Sequence, residues 1–170
     1  HASNVTGAIT PLADILPAAR AAGALVVLDT CQSAAHLPLD FAVLSAAGVD
    51  AMVLSSHKML GPTGVGALVA TEELLDAMPP VLTGGSMIEV VTMESSTYMP
   101  APARFEAGSQ PLAQAAGWGT AVGYLARLGM DRLHAGELAL TRRVLDGLAA
   151  IEGVRLLGPA DTTGRLGVVA

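Results

Sequence analysis

Residues Ala51–Gly66, AMVLSSHKMLGPTGVG, constrain this chain more than any other stretch. An apolar, β-prone run from Met52 to Leu54 stops at two serines, a histidine and a lysine, and a loop containing Gly61, Pro62, Thr63, Gly64 and Gly66 follows. The pattern delivers Lys58 to the end of a buried strand. Burial penalises the charged form of an amine, so a lysine inside a protein needs a partner or a purpose. The neutral form that burial favours is the one that makes a Schiff base with a carbonyl. Small hydroxyls and glycines around it let backbone N–H groups and Oγ atoms approach an anion closely, as phosphate sites require. Lysine, hydroxyls and tight loop together point to a phosphorylated aldehyde. A plainer reading stays open, in which Lys58 extends to solvent from a strand end and Gly61–Gly66 is an ordinary turn.

The preceding chain supplies a frame for that lysine. His1 to Thr6 reads as a strand end opening into a polar turn. Thr10 and Pro11 form a helix start, a capping residue followed by proline at the first helical position, and the helix Pro11–Ala22 ends at Gly23. Pro17 must either kink that helix or mark its true start. Ala24–Leu28 is a continuous apolar run without alternation, as expected for a strand covered on both faces, and Asp29 closes it. Helix, glycine and buried strand, repeated toward Leu54, give the rhythm of a doubly wound α/β fold with a parallel or mixed sheet, in which ligands collect at the carboxyl ends of strands. Asp29 and Lys58 both lie there. The aldehyde cofactor that fits is pyridoxal 5'-phosphate, whose ring works as an electron sink when its nitrogen is kept protonated by a carboxylate. Asp29 is the candidate, although aspartate also caps turns at strand ends. Gln32 is within reach of a ring substituent, or is simply an exposed glutamine. Cys31, between them, reads as a small packed thiol rather than a nucleophile.

Composition narrows the partners. The 170 residues are 52% hydrophobic and 14% charged, with a net charge of −6. As one domain, a chain this long buries about 70% of its unfolded surface. No cluster of Lys and Arg offers a surface to nucleic acid or an anionic membrane. No apolar run approaches the roughly 18 residues of a spanning helix. One cysteine excludes an internal disulfide and fits a reducing compartment, so the expected location is cytoplasmic. The chain opens at His1 and stops within an apparent buried strand at Gly167–Ala170, as expected of a piece of a longer protein.

The remainder predicts a short helix over Glu72–Met78 stopped by Pro79 and Pro80, then an irregular stretch from Leu82 to Ala103. A glycine-bearing helix follows over Pro111–Leu128, whose Gly117, Gly119 and Gly123 suggest close packing on another backbone. The next helix, Met130–Ile151, places Leu133, Leu140, Val144 and Leu148 on one apolar face with Glu137, Arg142 and Arg143 outward. His36 and His134 read as surface histidines, and Val154–Leu157 and Leu166–Val169 as strands. No Cys or His cluster suggests a metal. No internal repeat or low-complexity segment is present.

Five segments, HASN (His1–Asn4), LDTCQSAAHLPLD (Leu28–Asp40), LSSHKMLGPTGVGAL (Leu54–Leu68), GGSMI (Gly84–Ile88) and RFEAGSQ (Arg104–Gln110), resemble the group II, Suf-type cysteine desulfurases of the class V aminotransferase family. The resemblance runs along essentially the whole chain. It implies a fold type I enzyme and a homodimer with sites at the subunit boundary. Residues 1–128 would belong to the cofactor-binding large domain, and residues 129–170 would be a connecting helix and the first strands of a C-terminal domain. It implies that Lys58 holds pyridoxal 5'-phosphate as a Schiff base and shuttles the substrate Cα proton, that Asp29 faces the pyridine nitrogen, and that Gln32 faces the phenolic oxygen. Ser55 and His57 would hold the phosphate, with Asn4 beside the cofactor and incoming amino acid. Ser109, where the family usually has threonine, would reach the phosphate of the neighbouring subunit. The implied reaction moves sulfur from L-cysteine to an enzyme persulfide, releases L-alanine and passes sulfur to an acceptor protein for iron–sulfur cluster assembly. The family's nucleophilic cysteine, substrate-binding arginine and cofactor-stacking histidine lie in segments absent here. Selenocysteine lyase, acting on L-selenocysteine, or another class V relative is the nearest alternative; a non-catalytic binding module that keeps the fold is the alternative of another kind.

Overall fold

A computed structural model describes all 170 residues. Helix α1 spans Leu12–Ala21, and Pro11 precedes its first helical residue instead of occupying it. The helix runs through Pro17, whose missing N–H leaves the carbonyl of Ala13 without its usual donor. Gly23 takes the left-handed conformation expected after a helix end, with φ of 65°. Strand β1 is only Val27–Asp29, shorter than the apolar run. Just before it, the backbone N–H of Val26 is diverted to the Asp50 carboxylate at 2.7 Å. Leu28 is buried but Leu25 and Val27 are 67% and 56% exposed, so the run is not covered on both faces. Helix α2, Phe41–Ala47, starts at Asp40, whose side chain accepts from the N–H groups of Ala42 and Val43.

Strand β2, Ala51–Ser55, lies parallel to β1, with Asp29 opposite Val53. A 3-10 turn over Ser56–Met59 follows, and β3, Gly66–Ala70, returns antiparallel to β2 with Gly66 opposite Ser55. The sheet order β1-β2-β3 is therefore mixed. Helix α3, Glu72–Ala77, is capped by Thr71. The stretch from Leu82 to Ala103, expected to be irregular, contains an antiparallel hairpin of β4, Ile88–Val91, and β5, Ser96–Tyr98. Helices α4, Leu112–Leu128, and α5, Met130–Ala149, are separated only by Gly129.

Three further expectations are corrected. Of the α4 glycines only Gly117 meets another element, where an added Cβ would lie 3.3 Å from Pro62 Cγ; Gly119 faces open space and Gly123 meets only the Arg127 side chain of its own helix. The buried stripe of α5 is Thr141 and Leu145, while Leu140 and Val144 are 62% and 47% exposed. Hydrophobicity alone misplaces that face, because Thr141 satisfies its hydroxyl on the Glu137 carbonyl one turn back and the Glu137 carboxylate finds a distant partner in His36, so both turn inward. Val154–Leu157 and Leu166–Val169 form no strands; this segment is held by a single bridge of Arg165 to Ala8 and by isolated bonds such as Leu166 N–H to the Gly7 carbonyl at 2.9 Å.

The core joins Leu16, Leu28, Val49 and Met52, with Phe41, Leu44 and Val69 packed against it. Only 18 of 170 residues are buried, so the core is thinner than the chain's length leads one to expect. Arg165 is among those 18, its guanidinium donating to the carbonyls of Pro159, Thr6 and Val168. None of its helices is long and apolar enough to cross a membrane.

Candidate functional site

The parallel register of β1 and β2 brings their carboxyl ends side by side, and the chain secures that edge before placing any functional group on it. Thr30, fully buried, donates both its N–H and its hydroxyl to the Val53 carbonyl, at 3.1 and 2.7 Å. The loop leaving β1 is thus pinned over the end of β2. Asp29 Oδ1 accepts the Cys31 N–H at 2.9 Å, an arrangement aspartate commonly makes with its own backbone two residues on. That donated bond is the main reason the Asp29 carboxyl sits below its ordinary pKa, and the Lys58 charge adds to it. Burial pushes the neighbouring Cys31 thiol upward, aided by the Asp29 carboxylate.

From the other strand, the 3-10 turn directs Lys58 back toward this loop, where its Nζ donates to Gln32 Oε1 at 3.0 Å. Lys58 is half-buried, not fully enclosed. The turn is tight because Gly61 permits it: a Cβ there would overlap Ser56 Oγ and lie 3.1 Å from the Trp118 ring. Helix α4 backs the same loop through Gly117 against Pro62.

Lys58, Asp29, Gln32 and Asn4 line one cavity of about 350 Å³, together with His1, Ala2 and Cys31. Amine, carboxylate and two carboxamides thus converge from three separate parts of the sequence. Ser55 and His57 flank Lys58 without lining this cavity, their side chains 2.9 Å apart and hydrogen-bonded to each other. Ser109 is not brought to it; it lines a different cavity with Ser86, Glu106 and Gln110. His1 had no separate assignment from the sequence, although it stands in the same HASN segment as Asn4, and its ring bonds Ser33 Oγ at 2.9 Å. His36 and His134, read as surface histidines, are half-buried: His36 bonds Glu137 at 3.0 Å, and His134 Nδ1 is buried without a partner. No group of three His, Cys, Asp or Glu residues is arranged to hold a metal ion.

Residues 1–170 match the aminotransferase class-V family. The chain belongs to that family. This class-V chain is 51% identical over 165 residues to probable cysteine desulfurase 2 of Mycobacterium leprae (strain TN), an alignment covering 97% of the chain and 39% of the relative. Among solved structures, the apo cysteine desulfurase of Thermococcus onnurineus NA1 superposes with a TM-score of 0.91 at 34% identity, covering 99% of this chain and 42% of that one. A mutant of C-DES with glycine covalently linked to its pyridoxal phosphate cofactor superposes with a TM-score of 0.79 at 27% identity, covering 95% and 42%. The mixed sheet and its helices are accordingly part of a fold type I architecture. The class-V chain spans about two fifths of the length of these relatives.

Proposed function

We propose that the chain is the cofactor-bearing part of a pyridoxal-phosphate-dependent cysteine desulfurase of the Suf type, acting on L-cysteine. The observation that carries this reading is the convergence of Lys58, Gln32 and Asp29 on one cavity, with the lysine amine 3.0 Å from the glutamine oxygen. The donor set fits the cofactor group by group. Lys58 offers the amine an aldehyde needs, Asp29 a carboxylate for a ring nitrogen, and Gln32 a carboxamide for a ring oxygen. Ser55 and His57, paired beside Lys58, offer a hydroxyl and an imidazole to a phosphate.

When bound, pyridoxal phosphate supplies an electron sink for charge developing at the amino acid's Cα. Lys58 Nζ would hold the aldehyde group and would be the base that moves the Cα proton. Asp29, whose carboxyl the Cys31 N–H holds below its ordinary pKa, would face the ring nitrogen and favour its protonated form. Gln32 orients Lys58 before the reaction and is a donor to the ring oxygen when its amide faces the cofactor. Asn4, on the wall of the same cavity, would stand beside the incoming amino acid. In this reading the sulfur is taken by a thiolate from another segment of the full-length enzyme, because burial and the Asp29 carboxylate push the Cys31 thiol upward and make it a poor nucleophile.

The wider assignment is part of the same proposal. Residues 1–128 belong to the large domain and 129–170 lead into the small one. The enzyme is a cytoplasmic homodimer that passes sulfur to an acceptor protein for iron–sulfur cluster assembly. Ser109, which lines a cavity apart from Lys58, would act through its hydroxyl on the phosphate of the neighbouring subunit. Full-length protein supplied with L-cysteine and a thiol reductant should be yellow and should release alanine and sulfide in equal amounts. Lys58→Ala should be colourless and inactive. Alanine release that survives Lys58→Ala would overturn the proposal, and strong preference for L-selenocysteine would redirect it to selenocysteine lyase.

A further inference from the structure

One carboxylate joins the two walls of the cavity without touching it. Glu137 Oε2 bonds His36 Nδ1 at 3.0 Å, while its Oε1 accepts the Gly167 N–H at 3.1 Å. His36 lies at the end of the tight turn that leaves Gln32, closed by Ala34 N–H to Thr30 at 2.8 Å and His36 N–H to Ser33 at 3.0 Å. Ser33, Ala34 and Ala35 in that turn are buried, so a displacement of His36 is carried back to Gln32 and Asp29. On the other side, the segment holding Gly167 is bound to the N-terminal turn that bears Asn4. Ile9 N–H donates to Gly164 at 2.7 Å, Leu166 N–H to Gly7 at 2.9 Å, and the Arg165 guanidinium to Thr6 at 3.2 Å. His1 closes the ring through Ser33. A Cβ at Gly167 would lie 2.6 Å from Glu137 Oε1 and 3.2 Å from its Cγ, so a larger residue there would push the carboxylate aside. The Glu137 side chain is only 20% exposed, and the Thr141 hydroxyl, donating to the Glu137 carbonyl at 2.8 Å, fixes its turn of helix.

We infer that Glu137 is a positioning residue: through His36 and the Gly167 N–H it locks the Asp29–Gln32 loop to the segment that holds Asn4, and so sets the width of the cofactor cavity. The inference rests on the function proposed above. Its test compares full-length wild type, Glu137→Ala, the near-isosteric Glu137→Gln, His36→Ala and the His36→Ala/Glu137→Ala double variant. Readouts are the cofactor dissociation constant, the visible circular dichroism of the bound cofactor, and the melting temperature of the cofactor-free protein. Glu137→Ala should weaken cofactor binding roughly tenfold, the size of one charge-assisted hydrogen bond, and change the dichroism band. Glu137→Gln keeps an acceptor for Gly167 and should lose less. The double variant should be little worse than Glu137→Ala, because both substitutions break one connection. The inference is overturned if Glu137→Ala and Glu137→Gln lower the melting temperature but leave cofactor affinity and dichroism as in wild type. It is overturned equally if the effects of His36→Ala and Glu137→Ala simply add. A wild type that binds no cofactor would instead refute the functional reading beneath it.

Discussion

At the scale of single residues, the site moves the pKa values of two neighbouring groups in opposite directions. Asp29 and Cys31 are two residues apart, yet the Cys31 N–H holds the carboxyl below its ordinary pKa while burial pushes the thiol up. A depressed carboxyl stabilises the folded state at pH values above the ordinary aspartate pKa, and that contribution is lost as pH falls through its lower folded value. The stability difference between wild type and Asp29→Asn, followed by urea unfolding, should therefore be present at neutral pH and fade on acidification. A difference independent of pH would remove the assigned cause. Asp29→Asn should bind cofactor but lose turnover on the order of a hundredfold, the size of one misplaced electrostatic contact at a reacting centre. For Cys31 the sign is reversed. Its raised value keeps it a weak nucleophile at neutral pH, so iodoacetamide should modify it slowly, with a rate that rises only above the pH at which a free thiol reacts. Fast alkylation at pH 7 would contradict the burial argument and restore Cys31 as a candidate nucleophile.

At the scale of elements, the parts legible in the sequence are those whose signals are local. The Ser-Ser-His-Lys turn, the ends of α3 and α4, and the left-handed Gly23 are set by residues within one or two turns of themselves. Legibility fails where pairing decides. The antiparallel return of β3 depends on the short loop from Leu60 to Val65, and the β4–β5 hairpin turns through Thr92–Ser95 without the Asn-Gly pair that marks such turns. The C-terminal apolar runs have strand composition but no neighbouring ladder to complete them. Glu137 was misread as outward because its partner, His36, lies 101 residues away and no periodicity reports it. The cavity residues were legible as a set, whereas the bond from Lys58 to Gln32, across 26 residues, required the parallel register of β1 and β2. One element-scale prediction follows from the loop under Lys58. Gly61→Ala would force a methyl onto Ser56 Oγ and toward Trp118, so it should cost about 1–3 kcal/mol in thermal unfolding and loosen cofactor binding. Unchanged stability would mean that the turn relaxes without consequence and does not fix the lysine.

At the scale of the molecule, the apolar surface is large for the core it surrounds. Leu25, Val81 and Leu82 are 67%, 85% and 74% exposed, and single exposed residues of this kind acquire meaning when they are many. The 170-residue chain alone should therefore bind hydrophobic dyes and unfold without strong cooperativity. It should also release no alanine from L-cysteine, because Cys31 is its one thiol and burial pushes that thiol's pKa up. Alanine production by the chain alone, abolished by Cys31→Ala, would contradict both the inactivity of that thiol and the need for a second one. The central claim, that this fold exists to hold an aldehyde cofactor on Lys58, is tested most directly by borohydride reduction of the full-length protein with pyridoxal phosphate, followed by peptide mapping. The account predicts one reduced adduct, on Lys58, absent from Lys58→Ala; an adduct on any other residue, or none on a protein that still turns over L-cysteine, would contradict it.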